Sequence, residues 1–153
     1  MEILLQNRKN PSRITDQSLR KKTDLILNAL GCENCEISIV ITDDSDIREI
    51  NSSYRNIDRP TNVLSFPMDD ENMIIPGIRI LGDIVISEDT AQREADSAGI
   101  TLDQRLSQLL VHGILHLFGY DHETGDEDEK KMTQKSIELM ALLEDDKNIS
   151  WWL

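Results

Sequence analysis

Between Thr101 and Gly119 the chain reads LDQRLSQLLVHGILHLF, and no other stretch constrains the fold so strongly. Thr101 supplies an N-cap, Gly119 can adopt the left-handed conformation that ends a helix, and the residues between them are apolar on most sides. A helix with that pattern must be covered on most sides. It is interrupted by polar residues before bilayer-spanning length, so the cover must come from the rest of the protein.

The remaining segments predict what provides it. Ile3–Gln6, Glu36–Thr42, Asn62–Phe66 and Arg79–Ser87 are strand candidates, rich in β-branched residues and bounded by polar or turn-forming ones. An amphipathic helix is expected from about Asp16 to Leu30, with Leu19, Leu25, Ile26 and Leu30 inward and Gly31 closing it. Asp43-Asp44-Ser45 offers N-caps for a helix ending near Tyr54. Pro67–Gly77 holds two prolines and reads as a loop, and Glu88–Ser97 reads as a polar helix. A last helix, about Asp126 to Leu143, turns Met132, Leu139, Met140 and Leu143 inward. The expected class is α+β: one domain over residues 1–153, with a small mixed sheet packed with helices around the buried one.

All three histidines of this 153-residue chain fall in HGILHLFGYDH, at His112, His116 and His122. His112 and His116 are four apart, so on a helix both rings leave one face with Cβ atoms about 6 Å apart. His122 would be turned away by about 240° if the helix continued. A break at Gly119 lets Tyr120-Asp121-His122 swing back toward the first two rings. Three neutral imidazoles with one position open is a catalytic zinc arrangement, since a structural site has four protein ligands. Nickel and copper also accept imidazole ligands.

The spacing H-x3-H-x2-G-x2-H is shared with metzincin peptidases, but those need Glu directly after the first His as general base. Gly113 stands there. Glycine in a helix interior costs about 1 kcal/mol against Ala, so a close backbone approach or open space near the metal is expected at that position. Asp121 and Glu123 are candidates for orienting a His or handling protons.

A second stretch, YRNIDRPTNVLSFP from Tyr54 to Pro67, is polar and then abruptly strand-like. Its Arg55 and Arg59 are candidates for a fork that binds phosphate.

Charge is unevenly spread. The formal net charge is −13, which ordinarily argues against a nucleic-acid partner. Met1–Leu30, however, carries six Lys/Arg against three acids, and Asp121–Lys147 four lysines against ten acids. A basic N-terminal end and a solvated acidic helix follow. Cys32-Glu33-Asn34-Cys35 is a lone CxxC that follows a helix end and precedes a strand, inverted from the redox motif, and reads as an incidental turn. The first residues hold an early Glu2 and no apolar run of signal length, so a cytoplasmic protein without a membrane segment is expected.

Taken together, HGILHLFGYDH, YRNIDRPTNVLSFP and LGDIVIS (Leu81–Ser87) resemble the YbeY family of bacterial endoribonucleases, over nearly the whole chain. The resemblance implies a zinc-dependent, single-strand-specific RNase in maturation of the 16S rRNA 3′ end and in ribosome quality control. Its implied partners are single-stranded RNA, rRNA and the ribosome or its small-subunit precursor. By matching positions, His112, His116 and His122 would be the zinc ligands and Arg55 the functionally important arginine; Arg59 stands where the family often has Lys. The net acidity implies that RNA approaches over the basic N-terminal region, Lys21 and Lys22 included, and the Arg55 loop. Two other readings compete: a non-catalytic ribosome-assembly factor with a structural metal site, favoured by the missing base and acidic surface, and a metallopeptidase, opposed by Gly113.

Overall fold

A computed structural model describes residues 2–68, 77–120 and 125–144. The elements run β1 (Glu2–Asn7), α1 (Asp16–Ala29), β2 (Cys35–Thr42), α2 (Asp44–Arg55), β3 (Val63–Pro67), β4 (Arg79–Ser87), α3 (Glu88–Ala98), α4 (Leu102–Leu117) and α5 (Asp126–Glu144). The strands form one mixed sheet of order β1-β2-β4-β3, with β1, β2 and β4 parallel and β3 antiparallel to β4. The α+β class read from the sequence is what the chain adopts.

Because side chains alternate along a strand, the sheet has two distinct faces. Ile37, Ile39 and Ile41 of β2 and Ile84 and Ile86 of β4 point to the face covered by α1, α4 and α5, and form the main core with Leu19, Ile26, Leu27, Leu109, Leu110, Ile114, Met132 and Met140. Leu64 and Val85 point the other way, against Ile47 of α2. The helix that dominated the sequence is accordingly the most enclosed, with Leu106, Leu109 to Val111 and Gly113 to Leu115 all buried.

One expectation for α1 is corrected. Leu25 is exposed and Leu27 is buried in its place. Leu19, Thr23, Ile26 and Leu27 form the stripe at steps of four, three and one, whereas Leu25 lies about 240° around from Leu19. A second correction concerns CxxC. Cys32 and Cys35 are joined by a disulfide, Cα atoms 5.9 Å apart, so the pair ties the exit of α1 to the start of β2 and is more than an incidental turn.

Candidate active site

Helix α4 begins in a capping box, with the Thr101 hydroxyl accepting from the Gln104 N–H and the Gln104 side chain accepting from the Thr101 N–H. It ends as the sequence predicts. Gly119 takes a positive φ of 91°, its N–H reaches the His116 carbonyl, and the Tyr120 N–H reaches that of Leu115. The helix therefore ends at Leu117, one residue past His116. Asp121, His122 and Glu123 lie outside the described residues, as do Trp151 and Trp152.

His112 and His116 converge. Their rings meet edge to face with centroids 4.5 Å apart, and their Nε2 atoms lie 3.0 Å apart. Two imidazole ligands on one tetrahedral zinc, at about 2.0–2.1 Å each, hold their nitrogens roughly 3.3 Å apart. The pair fits one ion with little adjustment. Among the described residues no group of three metal-ligating side chains comes together, so the donor set there is these two nitrogens.

Gly113 explains itself in the packing. A Cβ there would meet Ile84 Cδ1 and the Ser65 hydroxyl at 3.2 Å and Val63 Cγ2 at 3.4 Å, tighter than ordinary contact. The Ser65 hydroxyl also donates to the Gly113 carbonyl at 3.1 Å. The close backbone approach expected from the sequence is thus against β3 and β4, and it sets the histidine helix directly on the edge strand β3.

Arg55 is the last residue of α2, whose end is capped by Asn56 in the left-handed region at φ 57°. Asn51, one turn earlier and buried, donates from its side chain to the Arg59 carbonyl at 2.9 Å. That bond pins the loop carrying Arg59 to the helix that ends in Arg55. Arg55 and Arg59 are exposed, and neither guanidinium has an ion pair among the described residues. Strand β3 connects the two motifs: α2 covers one of its sides and α4 the other.

A polar relay behind this junction was not foreseen from the sequence. Glu94 of α3 accepts from Asn62 Nδ2 at 3.1 Å and from Arg105 Nη2 at 3.0 Å, and Arg105 donates to Gln108 at 2.7 Å. Arg105 and Gln108 are buried polar residues within the apolar helix, and that incongruity is the signal that could have revealed them. At the same end of the sheet, where the Ser87 N–H donates to the Asn62 carbonyl, Asp44 accepts from Ser87, Thr90 and Arg93 at 2.7, 2.6 and 2.7 Å. Partial burial raises its pKa, but the hydrogen bonds from Arg93, Thr90 and Ser87 and the Arg93 charge outweigh this and hold it below the usual carboxylate value.

One residue of the expected RNA route over the basic N-terminal region and the Arg55 loop is corrected. Lys22 is buried and donates to Asp103, Ser107 and Glu144 at 3.0, 2.6 and 2.8 Å, so its charge is spent holding α1, α4 and the end of α5 together.

The family model for Endoribonuclease YbeY matches residues 4–144. Endoribonuclease YbeY of Aquifex aeolicus is 50% identical over 131 residues, covering 86% of this chain and 85% of the relative. That of Geobacter sulfurreducens is 46% identical over 145 residues, covering 94% and 97%. A Thermotoga maritima protein determined in solution superposes with a TM-score of 0.64 at 26% identity, covering 92% of this chain and 88% of its own. With the match running from β1 to the end of α5, and thus through both the arginine loop and the histidine helix, this chain belongs to the YbeY endoribonuclease family.

Proposed function

We propose that this chain, as one catalytic domain over residues 1–153, is a zinc-dependent endoribonuclease that cleaves single-stranded RNA, acting in 16S rRNA 3′ end maturation and ribosome quality control in the cytoplasm. Its partners on this reading are rRNA and the ribosome or its small-subunit precursor. Family membership supports the nuclease chemistry. The observation that carries the metal is the approach of the His112 and His116 Nε2 atoms to 3.0 Å in the last turns of a helix that Gly119 closes in the left-handed region. No helix of the described residues is long and apolar enough to cross a membrane.

His112 and His116 would hold the ion through Nε2, with His122 as third ligand. The ion, when bound, supplies Lewis acidity, lowering the pKa of water to about 7 so that a nucleophile exists at neutral pH. The chain's own residues do the rest. Arg55 presents a planar fork that binds two oxygens of the scissile phosphate and neutralises the charge that grows as the phosphorus becomes five-coordinate. Asn51 holds the loop that follows it in register. Gly113 and Ser65 keep the histidine helix seated on β3, which connects to that loop.

The test uses one preparation. Single-stranded RNA should be cut, cutting should stop on chelation and return with added zinc, and His116→Ala should neither bind the metal nor cut. A folded His116→Ala protein that still binds rRNA tightly, beside a wild type that never cleaves, would establish the assembly-factor reading instead.

A further inference from the structure

Tyr54 has the most exposed large hydrophobic side chain among the described residues, at 73%. A single exposed ring signifies little by itself, but its surroundings set this one apart. The Phe66 ring lies behind it, centroids 5.3 Å apart at an interplanar angle of 58°. Phe66 in turn packs on the buried cluster of Ile47, Leu64 and Val85, so Tyr54 has a firm backing while its outer surface faces water.

The charges around it match. Arg55 is its neighbour in sequence, Arg59 lies in the loop that Asn51 pins to the same helix, and both guanidinium groups are exposed without an ion pair among the described residues. The acid of that loop, Asp58, is already neutralised by a two-point bridge from Arg48, at 2.8 and 3.2 Å. An exposed aromatic face flanked by uncommitted arginines is the chemistry that recognises unpaired nucleotides, with bases stacking on the ring and phosphates on the cations. Bases inside a duplex are stacked on one another and offer no such face.

We infer that Tyr54 is a stacking platform for one unpaired base of the RNA, and that this contact, with Arg55 and Arg59 on the adjacent phosphates, confers the preference for single strands. The inference deepens the endoribonuclease reading proposed above and rests on it. In the free protein the ring stays exposed because its partner is the substrate.

Steady-state cleavage of a single-stranded oligoribonucleotide tests this, with the same oligonucleotide annealed to its complement as a competing inhibitor. Tyr54→Ala should raise KM about ten-fold or more, the loss expected for one base–aromatic stack, with kcat within about two-fold. Tyr54→Phe keeps the ring and should stay within about two-fold of wild type in both constants. The duplex inhibition constant should not move in either variant, and circular dichroism should report unchanged folding. A Tyr54→Ala KM equal to that of wild type overturns the platform and leaves the nuclease reading intact. So does an equal weakening toward duplex, or a Tyr54→Phe protein as impaired as Tyr54→Ala. A wild type that cuts no single-stranded RNA overturns the nuclease reading, and the platform with it.

Discussion

Arg55 and Gly113 show how differently single residues declare themselves. Arg55 is exposed at a helix end, where its charge also complements the helix dipole, so nothing in its packing requires an arginine. Arg55→Ala should leave the thermal midpoint within about 1 °C of wild type while lowering kcat by roughly 100-fold, in the range lost with one transition-state donor. Arg55→Lys should recover only part of this, because a lysine cannot bind two oxygens in one plane. Gly113 is the opposite case. Gly113→Glu, which recreates the peptidase sequence, should destabilise the fold by about 3 kcal/mol in a denaturant titration, since the side chain must displace Ile84, Val63 and Ser65, and should confer no peptidase activity. The sequence singled out the glycine from the missing Glu, yet the reason for it lay in β3, some fifty positions away, where no local pattern could reveal it.

Among the elements, every strand and helix expected from the sequence is present, and their ends agree to within about two residues, the usual spread of helix and strand termini. Periodicity located them because each element has one face in the core. Which elements share a face depends on strand order, and β1-β2-β4-β3 is not written in any one segment. The misreading of Lys22 follows from this: on α1 alone it is one of several basic residues, and only the docking of α4 and α5 buries it. Lys22→Glu should therefore destabilise the protein by about 3–5 kcal/mol, leaving carboxylates facing one another in a buried site, whereas Lys21→Glu should change stability by less than about 0.5 kcal/mol. A similar tie joins α2, β4 and α3 through Asp44. Its folded pKa is depressed, so its contribution is fully present above the unfolded value of about 3.9 and is lost as pH falls through the lower folded value. Asp44→Asn should consequently flatten the fall of the melting temperature below about pH 4, measured against wild type in the same buffers.

For the molecule as a whole, a net charge of −13 must be reconciled with an RNA substrate. Much of the basic charge is already engaged: Arg8, Lys9, Lys22, Arg48, Arg93 and Arg105 all bridge carboxylates. Arg55 and Arg59 remain exposed and without an ion pair among the described residues, so binding of single-stranded RNA should depend only shallowly on salt, with a slope of log K on log salt of about −1.4 for two phosphate contacts. A slope near −4 would mean that other basic residues carry the strand. The histidines were legible because one residue type was concentrated at a spacing with a known chemical use, whereas the exposed Tyr54 was not, because exposure is a property of the folded surface. The most direct measurement is bound metal by mass spectrometry together with single-stranded RNA cleavage on the same samples of wild type, His112→Ala and Arg55→Ala. A metal-dependent RNase predicts near-stoichiometric zinc and cleavage in wild type, loss of both in His112→Ala, and zinc retained with cleavage roughly 100-fold slower in Arg55→Ala. A wild type purified without chelator that holds no metal, or an Arg55→Ala protein that cleaves at the wild-type rate with its zinc in place, would contradict it.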